Sequence, residues 1–140
     1  MILKPPIFSN WMSGAALLLA VLLLGLFIWG GNQPQAAGLV PAPWDKLAHL
    51  TWFATLAGLL VFGLRSARTR VFLLVALACI ALGVWDEWRQ MALPGRHFGL
   101  DDLLADAVGI AFGLALVRWA QRRLQRWDGM GLSKVKNEQA

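Results

Sequence analysis

The chain has 140 residues, of which 58% are hydrophobic and only 15% are charged. A soluble domain of this length cannot bury so much apolar surface, so the composition predicts an integral membrane protein and excludes an ordinary soluble enzyme. The net charge is +5, but no nucleic-acid partner is expected, because membrane topology accounts for the basic residues. The single cysteine, Cys79, cannot form an intrachain disulfide and is predicted to be a core residue.

Four apolar segments predict four transmembrane helices, at about residues 11–30, 46–64, 70–91 and 102–120. The last two reach the roughly 20 residues of a spanning helix only if they continue through their polar ends. The first could instead be a cleaved signal peptide, but its apolar run is longer than that of a typical leader. We therefore expect an all-α bundle of four transmembrane helices, formed by one domain over residues 1–127, with a short cytoplasmic tail at 128–140.

Basic and acidic residues are distributed unevenly between the two ends of the predicted bundle. Ten of the thirteen basic residues lie on one side: Lys4, Arg65, Arg68, Arg70, Arg118, Arg122, Arg123, Arg126, Lys134 and Lys136. Because cytoplasmic loops of membrane proteins are enriched in Lys and Arg, both termini are predicted to be cytoplasmic. Six of the eight acidic residues and both histidines lie at the opposite end. The groups capable of chemistry are therefore expected at the extracytoplasmic face.

The second predicted helix opens with Asp45-Lys46-x-x-His49. Spacings of three and four residues place these side chains along one edge of the helix. His49 could be a general base or an oxyanion donor, oriented by the nearby carboxylate. In the alternative, Asp45 is only a charge at the helix start, Lys46 extends to the interface, and His49 hydrogen-bonds another helix. Taken alone, the motif favours this structural alternative.

The third predicted helix closes with Asp86-Glu87-x-x-Gln90. The spacing puts at least one carboxylate on the same face as the amide of Gln90. Glu87 lies about 100° around the helix from Asp86, so different roles are expected for the two carboxylates. The alternative is an ordinary solvated helix end. It is weakened by Trp85 and Trp88, which are typical of the membrane interface.

Pro94 and Gly95 predict a turn that directs Arg96 back over the bundle. A guanidinium is suited to bidentate contact with a phosphate or carboxylate, so Arg96 could bind substrate or form a salt bridge within the acidic cluster. Arg89 is interpreted as an interfacial or lipid-phosphate contact. Asp101 is predicted to cap the fourth helix.

The fourth predicted helix carries Asp102, Asp106, Gly109 and Gly113 along one stripe. The two glycines are spaced so that another helix can approach closely, which predicts a packing role. Asp106 lies about one turn inside the apolar segment, where an ionised carboxylate is costly without a partner. We expect that partner to be one of three groups: His49, Lys46 or Arg96.

In this order the motifs resemble the VanZ family: Asp45-Lys46-x-x-His49, Asp86-Glu87-x-x-Gln90, Pro94-Gly95-Arg96 and Asp102-x-x-x-Asp106-x-x-Gly109. The resemblance covers about residues 45–113. It implies a four-helix protein of the bacterial cytoplasmic (inner) membrane whose polar motifs meet at the extracytoplasmic end. The family is named for its association with glycopeptide (teicoplanin) resistance and has been grouped with enzymes that act on lipid head groups. Asp106 departs from the pattern, in which Asn is usual.

We therefore expect a membrane enzyme that works on a phosphate- or sugar-bearing lipid head group or a lipid-linked cell-envelope precursor. The predicted catalytic residues are His49, Glu87, Asp86, Gln90, Asp102 and Asp106, and the predicted substrate-binding residues are Arg96, Lys46 and Asp45. His49 and Glu87 would transfer protons, while the other members of the catalytic set would orient them or bind a cation. The cluster contains no serine or cysteine, which argues against a nucleophile of either type.

No cofactor is fixed by the pattern, although so many carboxylates are compatible with a hard divalent cation. Three alternatives to the enzyme stay open at this point. The first is a non-catalytic protein that binds a lipid or an antibiotic target, the second is a transporter, and the third is a purely structural ion-pair cluster. The oligomeric state is not indicated, because the glycine stripe can pack within one bundle or between two chains.

Overall fold

The computed structural model describes residues 10–33, 40–92 and 98–138, with side chains as far as residue 126. Within these residues the chain folds into four α-helices: α1 (Asn10–Gly31), α2 (Trp44–Gly63), α3 (Thr69–Gln90) and α4 (Leu100–Glu138). The prediction of an all-helical chain with four helices is confirmed. Except at the end of α4, the helix boundaries lie within two residues of the predicted ones.

The end of α4 differs from the prediction. The helix continues to Glu138 instead of ending near residue 120, so the expected tail from residue 128 is helical over most of its length. Residues 121–126 are all Gln, Arg or Leu, which favour helix, and no proline follows to end it. The loss of hydrophobicity after Trp119 therefore marks the end of the apolar segment and not the end of the helix.

Three helices among the described residues, α1, α2 and α3, are long and apolar enough to cross a membrane. Seven large apolar side chains on α1 are exposed, among them Leu18 and Val21. Exposed leucine and valine on a helix of this length indicate contact with lipid, because a spanning helix satisfies its own backbone hydrogen bonds and needs only an apolar surface outside. The chain is therefore an integral membrane protein.

The core of the bundle is centred on α2, which contacts all three other helices. Phe53, Ala57 and Val61 of α2 are completely buried, and Cys79 of α3 and Ile110 of α4 pack in the same cluster. The prediction that the single cysteine is a core residue is confirmed. Since α2 carries His49 near its start, the most tightly packed helix also carries the candidate imidazole.

The most extensive pairing joins α2 to α4. A Cβ atom built on Gly109 would overlap the backbone of Leu50, and one built on Gly113 would overlap the backbone of Ala54. The two backbones are in contact at these positions, as the small-residue spacing predicted. This close approach brings the start of α4 against the start of α2.

The antiparallel order of the helices gives the bundle two chemically different ends. The ends of α1 and α3 meet the starts of α2 and α4 at what we call the carboxylate end, which contains Asp45, Asp86, Glu87, Asp101, Asp102 and Asp106. The opposite end, here the arginine end, contains Arg65, Arg68, Arg70, Arg118 and Arg122. There Arg118 donates to the Ala67 carbonyl, and Gln121 Nε2 donates to the Ser66 carbonyl over 3.2 Å.

Candidate functional site

Lys46 joins the start of α2 to the start of α4. Its Nζ lies 2.8 Å from Asp45 Oδ2 and 2.9 Å from Asp101 Oδ2, and it also contacts Asp102 Oδ1. Three carboxylates therefore surround one ammonium group. The alternative in which Lys46 simply extends to the interface is wrong, because its side chain is held against α4.

The predicted capping role of Asp101 is also wrong. The helix begins at Leu100, so Asp101 is its second residue, and the Gly99 carbonyl accepts the Leu103 N–H over 3.2 Å. A carboxylate in the first turn still interacts favourably with the positive end of the helix dipole. Its side chain is 69% exposed and its ion pair is with Lys46.

His49 and Asp106 form a pair between α2 and α4. His49 Nδ1 lies 2.9 Å from Asp106 Oδ1, and Asp106 is only 2% exposed. Of the three partners proposed from the sequence for this carboxylate, His49 is the one that the structure shows. A carboxylate at Nδ1 favours a proton on that nitrogen and fixes the ring, which leaves the Nε2 lone pair to act as a base or a ligand.

Both carboxylate oxygens of Asp86 are bound by side chains of its own helix, α3. Arg89 Nη2 lies 2.5 Å from Asp86 Oδ1, and Gln90 Nε2 donates to Asp86 Oδ2 over 2.5 Å. Arg89 also donates to the Ile28 carbonyl of α1 over 3.2 Å and lies over the Trp85 ring. The interpretation of Arg89 as a lipid-phosphate contact is therefore wrong, because its charge is paired with a buried carboxylate. Arg89, paired with Asp86, holds the end of α3 against α1.

Glu87 has different surroundings from Asp86, as their separation around the helix predicted. Its carboxylate is 2% exposed, and Oε2 accepts the Gly99 N–H over 2.7 Å. Its other oxygen, Oε1, is buried and has no hydrogen-bond partner among the residues that the structure describes. Glu87 thus ties the end of α3 to the start of α4 with one oxygen and leaves the second in the interior.

Three helices bring His49, Glu87 and Asp102 together. Each offers one nitrogen or oxygen atom, and these three atoms lie within 4.8 Å of one another. An imidazole and two carboxylates at this separation can transfer protons to and from a bound molecule, or bind a metal ion. Arg96, the predicted phosphate ligand, lies with Pro94 and Gly95 outside the described residues.

A cavity of about 310 Å³ between α1, α2 and α3 reaches this cluster. His49, Asp86 and Gln90 line part of it, and the rest of its wall, which includes Phe27 and Trp52, is mostly apolar. A second cavity of about 500 Å³ between α1 and α2 has an almost entirely apolar wall and shares Trp52 with the first. An amphiphilic molecule could therefore place a polar group beside His49 and an apolar part between α1 and α2.

A family model described as VanZ/LLP1 matches residues 7–121, which is most of the chain and includes all four motifs. The chain belongs to the VanZ family. No curated protein and no solved structure matched it in the corresponding comparisons. The membership confirms the resemblance based on the polar motifs and extends it over α1 and the apolar part of α4.

The resemblance to the family motifs leads us to expect Asn at the position of Asp106. The structure gives the departure a local reason, since the carboxylate binds His49 and an amide oxygen could accept the same hydrogen bond. The carboxylate adds a negative charge beside the imidazole and would stabilise its protonated form. Asp at this position is therefore compatible with the same hydrogen bond to His49.

Three residues of the site were missed by the sequence reasoning. Phe27 places its ring edge-on to His49, with ring centroids 6.4 Å apart, and Trp52 lines both cavities. A Cβ on Gly83 would lie 2.6 Å from Asp106 Oδ2, so this glycine makes room for the carboxylate. Gly83 precedes Glu87 by one helical turn, a spacing that could have indicated it. The aromatic residues gave no such signal, because apolar side chains surround them in the sequence.

Proposed function

We propose that this VanZ family protein is a membrane enzyme that acts on a phosphate-bearing lipid head group or a lipid-linked cell-envelope precursor at the extracytoplasmic face. The observation that supports this most directly is the His49–Asp106 pair, with its Nδ1 to Oδ1 distance of 2.9 Å. A buried carboxylate that orients an imidazole is an arrangement used by general bases. A mostly apolar cavity, lined in part by His49, Asp86 and Gln90, leads to it.

The proposed orientation depends on the two ends of the bundle. The arginine end is placed in the cytoplasm because Lys and Arg are retained there, and the carboxylate end is then extracytoplasmic. In this arrangement the apolar part of α4, from Leu103 to Trp119, is the fourth span, and both chain termini are cytoplasmic. The apolar cavity between α1 and α2 opens toward the acyl chains of the same leaflet.

In the proposed reaction, His49 accepts a proton from a water or hydroxyl group as that oxygen attacks the head-group phosphorus. The bond between phosphorus and the leaving-group oxygen breaks, and the imidazolium gives its proton to the leaving-group oxygen. Asp106 is a positioning residue that holds the ring and stabilises the imidazolium. Arg96 stays the predicted phosphate ligand, whereas Lys46 is already neutralised by three carboxylates and is better suited to holding α4.

The orientation is tested by labelling cysteines that are introduced one at a time. Leu100 is 70% exposed at the carboxylate end, and Arg122 is exposed at the arginine end, whereas Cys79 is buried. We expect a membrane-impermeant maleimide to label Leu100→Cys in intact spheroplasts and to label Arg122→Cys only after permeabilisation. The wild-type chain, with Cys79 alone, is the control. The reverse labelling pattern would contradict the proposed orientation.

The reaction is tested by mass spectrometry of lipids and lipid-linked cell-wall precursors in cells with and without the protein. We expect one species to change in head-group mass when the wild-type protein is present, and no such change with His49→Ala. If the lipids stay the same but one species copurifies with the protein, the function is binding without catalysis. A link to glycopeptide resistance is checked in the same strains by their sensitivity to teicoplanin.

A further inference from the structure

Glu87 has one oxygen that the proposed reaction does not use. The carboxylate is 2% exposed, and Oε1 has no hydrogen-bond partner within the described part of the chain, whereas Oε2 accepts the Gly99 N–H. Burying a carboxylate oxygen at membrane depth without a partner is costly. The cost is removed if Oε1 binds a cation, which makes this oxygen the starting point for a metal site.

Asp102 supplies a second carboxylate to the same place. One oxygen atom each from Glu87 and Asp102, together with a ring nitrogen of His49, lie within 4.8 Å of one another. Hard cations bind oxygen at about 2.0–2.6 Å, so two oxygens on one ion are at most about 5 Å apart. The separation therefore fits a single ion. Asp102 contacts Lys46 through Oδ1, and a carboxylate has further lone pairs with which to bind a metal.

The charge at the carboxylate end also favours a cation. The described side chains there include six carboxylates but only two basic groups, Lys46 and Arg89, which leaves four negative charges if every acid is ionised and His49 is neutral. Arg89 is paired with Asp86, and Lys46 is shared among three acids. Neither contacts Glu87 or Asp106 in the described ion pairs.

We propose that Glu87 and Asp102 bind one hard divalent cation of the Mg²⁺, Mn²⁺ or Ca²⁺ type beside His49. Oxygen ligands select ions of this class, and the single cysteine lies in the hydrophobic core. Two carboxylates are also the usual protein contribution to a Mg²⁺ site that is completed by water and a phosphate. This assigns Glu87 to cation binding instead of the proton transfer expected from its sequence motif.

The test uses Mn²⁺ as the probe and the full-length protein in detergent micelles, with the free Mn²⁺ signal followed by electron paramagnetic resonance. We expect saturable binding of a single ion per chain and competition by Mg²⁺. Loss of even an outer-shell partner commonly weakens metal affinity about 10- to 100-fold, so Glu87→Gln and Asp102→Asn should each weaken binding by at least about tenfold. No lipid substrate is present, so a negative result would leave the proposed lipid chemistry untouched.

The matched control is Asp101→Asn, which removes the same charge from the neighbouring residue of the same helical turn. Asp101 is 69% exposed and lies outside the cluster of His49, Glu87 and Asp102. The affinity of the Asp101→Asn protein for Mn²⁺ should therefore stay within about twofold of that of the wild type. Thermal unfolding without metal checks that each variant is folded, and added Mn²⁺ should raise the midpoint of the wild type more than that of Glu87→Gln. Equal weakening by all three variants would indicate nonspecific attraction and overturn the site. Absence of binding by the wild type would indicate a protonated Glu87 and also overturn it.

Discussion

Replacement of His49 by alanine is expected to reduce turnover of the lipid substrate by about 10²- to 10⁴-fold, the usual contribution of a general acid–base group. The loss follows from the geometry of the pair, in which Asp106 holds Nδ1 at 2.9 Å and leaves Nε2 to act as the base. Lipid binding should be retained, because the apolar cavity walls are unchanged. Turnover is measured by mass spectrometry on the head-group species that the cell comparison identifies, and binding by copurified lipid.

Leu104→Ala is the control for this substitution. Leu104 lies half a turn from Asp106 on α4, is 67% exposed and lines neither cavity. Its truncation should leave turnover at the wild-type level. If His49→Ala also turned over lipid at the wild-type rate, His49 would not be the base, and the site would be structural or act by binding alone.

Asp106 is expected to act through His49. Two substitutions of Asp106 can distinguish this role from a purely structural one. Asp106→Asn retains an oxygen that can accept the Nδ1 proton, so it should keep a substantial part of the turnover. Asp106→Ala leaves the ring without its partner and should lose more. A structural role alone would instead lower the stability of both variants without this order in turnover.

Gly109→Ala and Gly113→Ala are expected to destabilise the bundle more than any other alanine substitution at a glycine between α2 and α4. The added Cβ would overlap the backbone of Leu50 or of Ala54, and backbone cannot move aside as a side chain can. Overpacking of this kind commonly costs about 1–3 kcal/mol of unfolding free energy. Reversible unfolding in mixed micelles measures the loss for each variant.

Gly58→Ala is the matched control, because Gly58 lies at the same interface. A Cβ there would meet its nearest atoms at 3.7 and 3.8 Å, which is ordinary contact. Its stability should be unchanged or slightly higher, since alanine is the better helix former. If Gly109→Ala were as stable as Gly58→Ala, the close crossing of α2 and α4 would not be needed for folding.

The helices themselves could be predicted from the sequence because their cause is local. Long apolar segments are stable in lipid only as helices, since no water is present to satisfy an open backbone. Charged residues at the ends of these segments mark where each helix meets the interface. The convergence of the polar motifs at one end then follows from the antiparallel order of four helices joined by short connections.

The pairing of the charged groups could be predicted only in part. The sequence indicated that Asp106 needs a partner, and among the described residues the structure shows that partner to be His49. It also suggested that Arg89 is an interfacial or lipid-phosphate contact, whereas Arg89 is paired with Asp86. In each case the outcome depends on how a helix is rotated about its axis. When a helix is apolar on all sides, its hydropathy pattern does not indicate that rotation.

The sequence by itself therefore determined that this is a helical membrane protein of the VanZ family, with six of its eight acidic residues gathered at one end. Only the tertiary structure decided that His49 is held by Asp106, that Lys46 is shared by three acids and that Glu87 keeps one oxygen without a partner among the described residues. The physical reason is one of scale. Burial in a membrane acts over whole helices, whereas an ion pair depends on distances of a few ångströms, set here by the contact of Gly109 and Gly113 with α2.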